Sequence, residues 1–559
     1  MADRTYPLMS RREIEGLVAD GRLVFILDHF VVKADAWAPY HPGGDKAIRH
    51  MVGRDATDEV TALHSPEARQ QMYRYRVGKI QGRWSNFIPP IQGGKFRPLC
   101  EAGDDVFDNS PESAATPSTP SSASSSRSPS PVFDDGDAHE SLRRRHGPSG
   151  AASVSSASSV EADDEGMAFL NTLTHEKIAL DQNKYPSTDL AIQDDIVIRY
   201  RALHQRIKAE GLYQCNYRHY AVECCRYVTL FAGMLVFLHW GWYVTSAAFL
   251  GAMWHQLVFT AHDAGHMGIT HNFHVDTVIG ILIADYIGGL SLGWWKRNHN
   301  VHHIVTNSPE HDPDIEHMPF MAVSHRLLQN LRSTYYDKVM EYDALAKVAL
   351  RVQHYTFFVL MTFGRFNLYV NSWAFLLRGQ GPKKGPSWWH RWFELAGQVF
   401  FWTWFGYGIL YKTIPTNWDR FAFLMVSHMV TMPVHAQICL SHFAMSTSDL
   451  GPHESFPQKM LRTTMDVDCP SWLDFFHGGL QFQVIHHLYP RIPRHNLRRT
   501  QRLVQEFCNE VGIPYALYGF VDGNKKVVGT LAEVSRQAAV LAKCQKVIAE
   551  DDFTHGHGH

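Results

Sequence analysis

Residues 220–266 read YAVECCRYVTLFAGMLVFLHWGWYVTSAAFLGAMWHQLVFTAHDAGH. Two apolar runs, 220–240 and 242–262, meet at Gly241, and each has about the 20 residues that a helix needs to cross a bilayer. The second run closes on His262 and His266, four residues apart, so both imidazoles fall on one helical face where the chain leaves the apolar layer. The stretch predicts a helical membrane protein with a metal-capable cluster at one membrane face. A single such pair is more often a satisfied polar patch than a ligand set, so the reading depends on whether other clusters join it.

Two do. RNHNVHHIV at 297–305 supplies His299, His302 and His303; QFQVIHHLYP at 481–490 supplies His486 and His487 behind Gln483, which holds the place of His299 in the earlier cluster. Ionisable side chains beside hydrocarbon are costly and are kept there for function. Gln483 can coordinate through its carbonyl oxygen or hold a ligand imidazole by hydrogen bonding. His442, in LSHFAM at the end of another apolar run, is a further ligand candidate, whereas His255, His428 and His435 follow helix faces as packing groups.

Convergence of the clusters constrains topology, because an even number of crossings must separate one from the next. Between His266 and His299 lies one apolar run, 275–295, which carries Asp276, Asp285 and Gly288-Gly289 and is expected to be interfacial or re-entrant. Of the three later runs, 355–377 holds Arg365, Asn367 and Asn371 and is assigned to the interface. Four spans remain, at about 220–240, 242–262, 395–415 and 419–440, with tryptophans such as Trp294, Trp295, Trp402 and Trp404 near the ends of the runs as in interfacial belts. The fold class expected is an α-helical integral membrane domain of about four transmembrane helices plus interfacial helices, preceded by a small α+β domain.

Composition agrees with metal chemistry. The chain has 34 histidines, and neutral imidazole is the commonest transition-metal ligand near pH 7. A formal net charge of −2 gives no sign of a nucleic-acid partner. The eight cysteines show no C-x-x-C spacing, as expected on the reducing side of a membrane, and MADRTYPLMSRREIEGL has no apolar core of a secretory signal. A mean hydropathy of −0.23 conceals the membrane region by averaging it with polar segments.

Those segments lie at the ends and in a linker. Residues 1–95 are expected to form the α+β domain, 96–165 a disordered Ser/Pro-rich linker, 166–545 the membrane domain, and 546–559 a disordered His-rich tail. A flexible linker of that length reaches roughly 45 Å. In the first domain, AWAPYHPGGDKAIRHMVGRDATDEVTALH places His41 on a turn shaped by Pro42, Gly43 and Gly44, with His64 following 23 residues later. Two histidines on facing loops can ligate a haem iron on both axial sides, closing it to oxygen and leaving it a carrier of single electrons. HPGG with GRDAT and the second histidine resembles the cytochrome b5 domain, which implies haem b on His41 and His64. The acidic face that would dock a reductase is only weakly visible in Asp45, Asp55, Asp58 and Glu59.

Eight or nine ligands are too many for one first-row ion and suit two; beside an electron carrier, iron is favoured over zinc. Here the chain resembles the membrane fatty acyl desaturases, specifically the front-end members that fuse cytochrome b5 and begin the third histidine box with glutamine. The family pattern H-x(3)-H falls on His262 and His266, H-x(2)-H-H on His299, His302 and His303, and Q-x(2)-H-H on Gln483, His486 and His487. This implies two iron ions, no catalytic residue beyond the metal ligands, a membrane lipid substrate, O2, and NADH-cytochrome b5 reductase as electron source. It also implies a multi-pass protein of the endoplasmic reticulum membrane with haem domain and histidine boxes on the cytosolic side. PPIQGGKFR, YPSTDL and GLYQCNY are similar to fungal sphingolipid delta-8 desaturases, which act on the long-chain base of ceramide. The alternatives are a delta-6 or delta-5 front-end acyl desaturase, or a lipid hydroxylase on the same scaffold.

Overall fold

The computed structural model describes residues 5–87, 95–96, 133–134 and 155–555. The first domain opens on α1 (Arg11–Ala19), which Ser10 and Glu13 start as a reciprocal capping box. An antiparallel sheet follows, in the order β1 (Val24–Leu27), β2 (Phe30–Lys33), β3 (Arg76–Lys79), and the short helices α2 (Asp45–Arg49), α3 (Thr57–Leu63) and α4 (Pro66–Met72) come between β2 and β3. Ile14, Val18, Val24, Ile26 and Val31 form its fully buried core, which Trp84 closes by donating its indole N–H to the Gly53 carbonyl at 2.8 Å.

Most of the expected linker lies outside the described residues, but α5 (Ser155–Lys184) begins inside it. The reason is tertiary: Leu170 packs against Val534, Ala538 and Leu541 of the C-terminal helix, and serine, alanine and acidic residues continue the helix backwards at little cost. That C-terminal helix runs from Phe520 to His555, so most of the expected tail is helical, and residues 556–559 lie outside the described part. Then α6 (Leu190–Ala209) leads into the membrane helices.

The first two, α7 (Tyr217–His239) and α8 (Tyr243–Gly265), form an antiparallel hairpin turned at Gly241, whose φ of +77° suits glycine. Ser246 ties the turn by donating to the Met234 carbonyl at 2.7 Å. A short α9 (Phe273–Ile281), π-helical from Leu282 to Ile287, then turns into α10 (Leu292–Val305) with a bend of 117°. His266 and His299, before and after this bend, have ring centroids 5.0 Å apart. A segment that starts and ends at one place does not cross, which makes the run re-entrant.

The run 355–377 is split between α11 (Ala344–Thr362) and α12 (Gly364–Arg378), neither of which is long and apolar enough to cross a bilayer. Arg365 turns inward, 4.0 Å over the Trp254 ring, and donates to the Gly288 carbonyl. The next run is α13 (His390–Phe401), π-helical from Trp402 to Thr413. It is followed by α14 (Asn417–Met429) and α15 (Met432–Phe443), which together make one span. Among the described residues, only Tyr217–His239 and Asn417–Phe443 are each long and apolar enough to cross on their own, against four expected spans. In α8 the polar His255, Gln256 and Thr260 are buried, so its surface is met by protein more than by lipid. Gly251 lets α14 approach: a Cβ there would lie 2.5 Å from the Ser427 carbonyl oxygen.

Beyond the membrane helices, α16 (Phe456–Thr463), α17 (Gln483–Leu488) and α18 (Leu497–Val511) pack with α6 into a further core around Tyr200, Met460, Ile485 and Tyr489. The first domain sits on α10. Val301, Ile304 and Val305 share a core cluster with Ala38, Ala47, Ile48 and Met51, while Arg297 pairs with Asp45 at 2.8 Å. A second clamp is Arg201 of α6, bidentate on Asp58 at 2.8 and 3.2 Å. Two of the four acidic residues of the weak docking face are therefore paired within the chain.

Candidate metal centre and haem site

His41 follows Tyr40 on the turn that Gly44 closes at φ +87°. Carbonyl oxygens only accept, so the contacts of His41 Nδ1 with the Gly44 carbonyl at 2.9 Å and of His64 Nδ1 with the Val60 carbonyl at 3.2 Å fix both tautomers. Both Nε2 atoms are left as lone-pair donors. The ring centroids are 5.8 Å apart, close to what an ion about 2 Å from each nitrogen requires. Burial chiefly holds both rings below the usual imidazole range, His64 at about 3, which keeps them neutral and able to ligate.

The other histidines converge from four elements. His262 and His266 come from the end of α8, His299, His302 and His303 from α10, His442 from the end of α15, and His486 and His487 from α17. They form two groups that could hold a metal ion, His262, His266, His299 and His486 in one and His302, His442 and His487 in the other, with the donor atoms of each group within 4.8 Å of one another. His303 lies between them: its Nε2 is 3.1 Å from both His299 Nε2 and His486 Nε2, and its ring centroid is 4.3 Å from that of His487. Adjacent ligands about 2.1 Å from a common ion lie roughly 3 Å apart, so these separations fit coordination. Buried ring nitrogens without a partner, His266 Nε2 and His487 Nε2, also fit, since an unsatisfied buried polar atom is expensive. Gln483 is buried at the start of α17, one turn before His486.

Carboxylates orient these histidines. His302 Nδ1 donates to Asp312 at 2.9 Å, which turns its Nε2 inward, and Asp312 is itself held by the Asn307 backbone N–H at 2.7 Å. Asp314 lies 3.9 Å from His299 Nδ1 and 3.7 Å from His302 Nδ1, and it accepts from the Asn298 amide. Asn307 in turn donates to the carbonyls of His442 at 2.8 Å and Thr463 at 3.2 Å, tying the loop after α10 to the last histidine of α15. On the other side, Arg494 pairs with Asp263 at 3.1 Å beside His262, and the Tyr220 hydroxyl donates to Asp263 at 2.5 Å.

Sequence reasoning does not reach Asp312 and Asp314; the signal was HDPD at 311–314, two acids shortly after the second cluster. The packing histidines stay outside both groups. His428 stacks on Phe366 at 4.6 Å and shares a hydrogen bond with the Tyr369 hydroxyl at 3.1 Å, and His255 stacks on Phe476 at 5.0 Å. His435 packs against Gly364.

A model of the fatty acid desaturase family matches residues 205–519, and one of the cytochrome b5-like heme/steroid binding domain matches residues 10–81. Among curated proteins, the chain is 61% identical to a Delta 8-(E)-sphingolipid desaturase of Emericella nidulans, over 98% of each chain. It is 48% identical to one of Kluyveromyces lactis, over 99% of this chain and 97% of the relative, and 44% identical to one of Candida albicans, over 97% and 98%.

Proposed function

The chain belongs to the fatty acid desaturase family and carries a cytochrome b5-like domain at its N-terminal side, and from that premise we propose that it desaturates the long-chain base of ceramide at the delta-8 position with E geometry. It is an oxidoreductase, and its family and apolar helices make it a membrane protein. The observation that carries the reading is the pair of histidine groups joined through His303, beside a domain whose His41 and His64 rings lie 5.8 Å apart. Full-length similarity to relatives named for this reaction supports the substrate.

In this reading His262, His266, His299 and His486, with Gln483, would hold one iron ion and His302, His442 and His487 the other, with His303 near both groups. His41 and His64 would hold haem b. When bound, haem supplies single electrons and iron the oxygen chemistry by which –CH2–CH2–, O2, two electrons and two protons become –CH=CH– and two waters. The chain's own residues set this up: Asp312 fixes the tautomer of His302, Asn307 joins the second box to the end of α15, and the re-entrant turn brings α10 back to α8. The docked first domain sets His41 one loop away from the helix that carries His299. We place the protein in the endoplasmic reticulum membrane, with haem domain and boxes on the cytosolic side and NADH-cytochrome b5 reductase as electron source. Expression in a yeast that lacks delta-8 activity, followed by analysis of ceramide bases, tests the substrate; a changed acyl profile with unaltered bases would assign the chain to acyl lipids instead.

A further inference from the structure

Two buried cations near the histidine groups make no ion pair among the described residues. Lys296, on α10 three residues before His299, is 8% exposed, and Arg491, four residues beyond His487, is 9% exposed with an unpartnered Nε. Among the described residues neither makes an ion pair; Lys296 has only the Phe273 ring, 5.4 Å away. Two carboxylates act on them without forming an ion pair: Glu67, which reaches Arg491, and Asp276, whose charge reaches both and whose oxygens are taken by the Thr270 backbone N–H at 2.9 Å and hydroxyl at 2.6 Å and the His271 N–H at 3.2 Å. A largely buried charge without an ion pair is expensive, so these two cations point to an anion that joins them.

Both lie close enough to the His41–His64 pair for their charges to act on it. Lys296 lines one cavity with Pro42 and Gly44 of the turn beside His41, and Asn300, one helical turn further on, donates to the Gly43 carbonyl at 3.3 Å. On the other side, Ala62 of α3 packs into the same core as Tyr489 and Ile492, the neighbours of Arg491. The charges of Lys296 and Arg491 both reach His64, and that of Lys296 reaches His41.

We propose that Lys296 and Arg491 receive the two carboxylates of the haem held between His41 and His64. Haem b carries two carboxylates on one edge, matching two cations that the apoprotein leaves unpaired. The inference rests on the haem reading above. It has a consequence for geometry within the chain: the carboxylate edge is gripped by residues that flank the second and third histidine boxes, not by the first domain itself, so the cofactor completes the junction between the domains.

The test uses the full-length protein loaded with haem or with haem dimethyl ester, whose carboxylates are blocked, and follows transfer to excess apomyoglobin by the Soret band. In the unaltered protein the ester should leave at least about tenfold faster, as expected for losing charge-assisted hydrogen bonds. In Lys296→Gln/Arg491→Gln both forms should leave at one rate, and Lys296→Arg/Arg491→Lys should restore the difference. An equal ratio of ester to haem rates in the unaltered protein and the double Gln variant would overturn the proposal, and would do so if the cations serve a lipid or phosphate group instead. A preparation that takes up no haem with His41 and His64 intact would overturn the haem reading, a different outcome.

Discussion

His302 Nδ1 donates to a fully buried Asp312 at 2.9 Å, so one carboxylate decides which nitrogen of this histidine reaches the second ligand group. The arrangement ties His302 of α10 to the loop that follows it. Replacing Asp312 with Ala frees the ring and removes the acceptor of the Asn307 N–H. Loss of such an orienting carboxylate typically costs 10–100-fold in metal affinity or activity. We expect Asp312→Ala to lower bound iron per chain and desaturation together, measured by elemental analysis and product formation; full iron content would contradict the orienting role.

The pair of Arg297 and Asp45 joins the first domain to the helix bearing His299, His302 and His303. Arg297→Glu places two like charges there, and Asp45→Arg in the same chain restores an attractive pair. The expected outcome is a several-fold slower reoxidation of reduced haem by substrate and oxygen in Arg297→Glu, with recovery in the swapped double variant. Partly exposed ion pairs contribute only about 1 kcal/mol, so thermal stability should change little. Stopped-flow absorbance at the haem bands reads the effect.

Asp466 accepts from the Val484 N–H at 2.8 Å, from Gln501 at 2.8 Å and from the Tyr515 hydroxyl, beneath the helix that carries His486 and His487. Burial pushes its carboxyl up to about 7. A folded-state value above the unfolded one means that the native state binds more protons between the two. Its contribution to stability is therefore fully present below about pH 4 and is lost as pH rises toward about 7. Asp466→Asn should flatten this part of the stability profile, measured as the change in melting temperature from pH 5 to pH 7.5 in detergent; an unchanged slope would show that Asp466 is not the titrating group.

How much of this could be read from the chain depends on whether the determining contacts are local. Spacings of three and four place His262 with His266 and His299 with His302 and His303 on single helix faces, and crossing parity alone foretells that 275–295 turns back. The helix at Ser155–Lys184 could not be foreseen, because its beginning looks like linker and its partners Val534 and Leu541 lie some 370 residues away. Nor could Asp312, whose role depends on a loop fold, or the pairing of Asp45 and Asp58 with arginines of the same chain.

Gln483 begins the helix of His486 and His487 and is buried with them. Histidine at this place would add a nitrogen ligand of different reach to one side of the pair. We expect Gln483→His to keep iron but to lose about tenfold in activity, the scale of altered ligand surroundings. Iron content and turnover measured on one preparation decide between a tuned position and a tolerant one.

The central claim is that eight converging histidines and a docked haem domain desaturate a ceramide base. The direct measurement is mass spectrometry of long-chain bases from a yeast without delta-8 activity that expresses this chain or its His486→Ala variant. The account predicts a new E double bond at the delta-8 position with the unaltered chain and none with His486→Ala; a hydroxylated base, or unaltered bases with new unsaturation in the acyl chains, would contradict it.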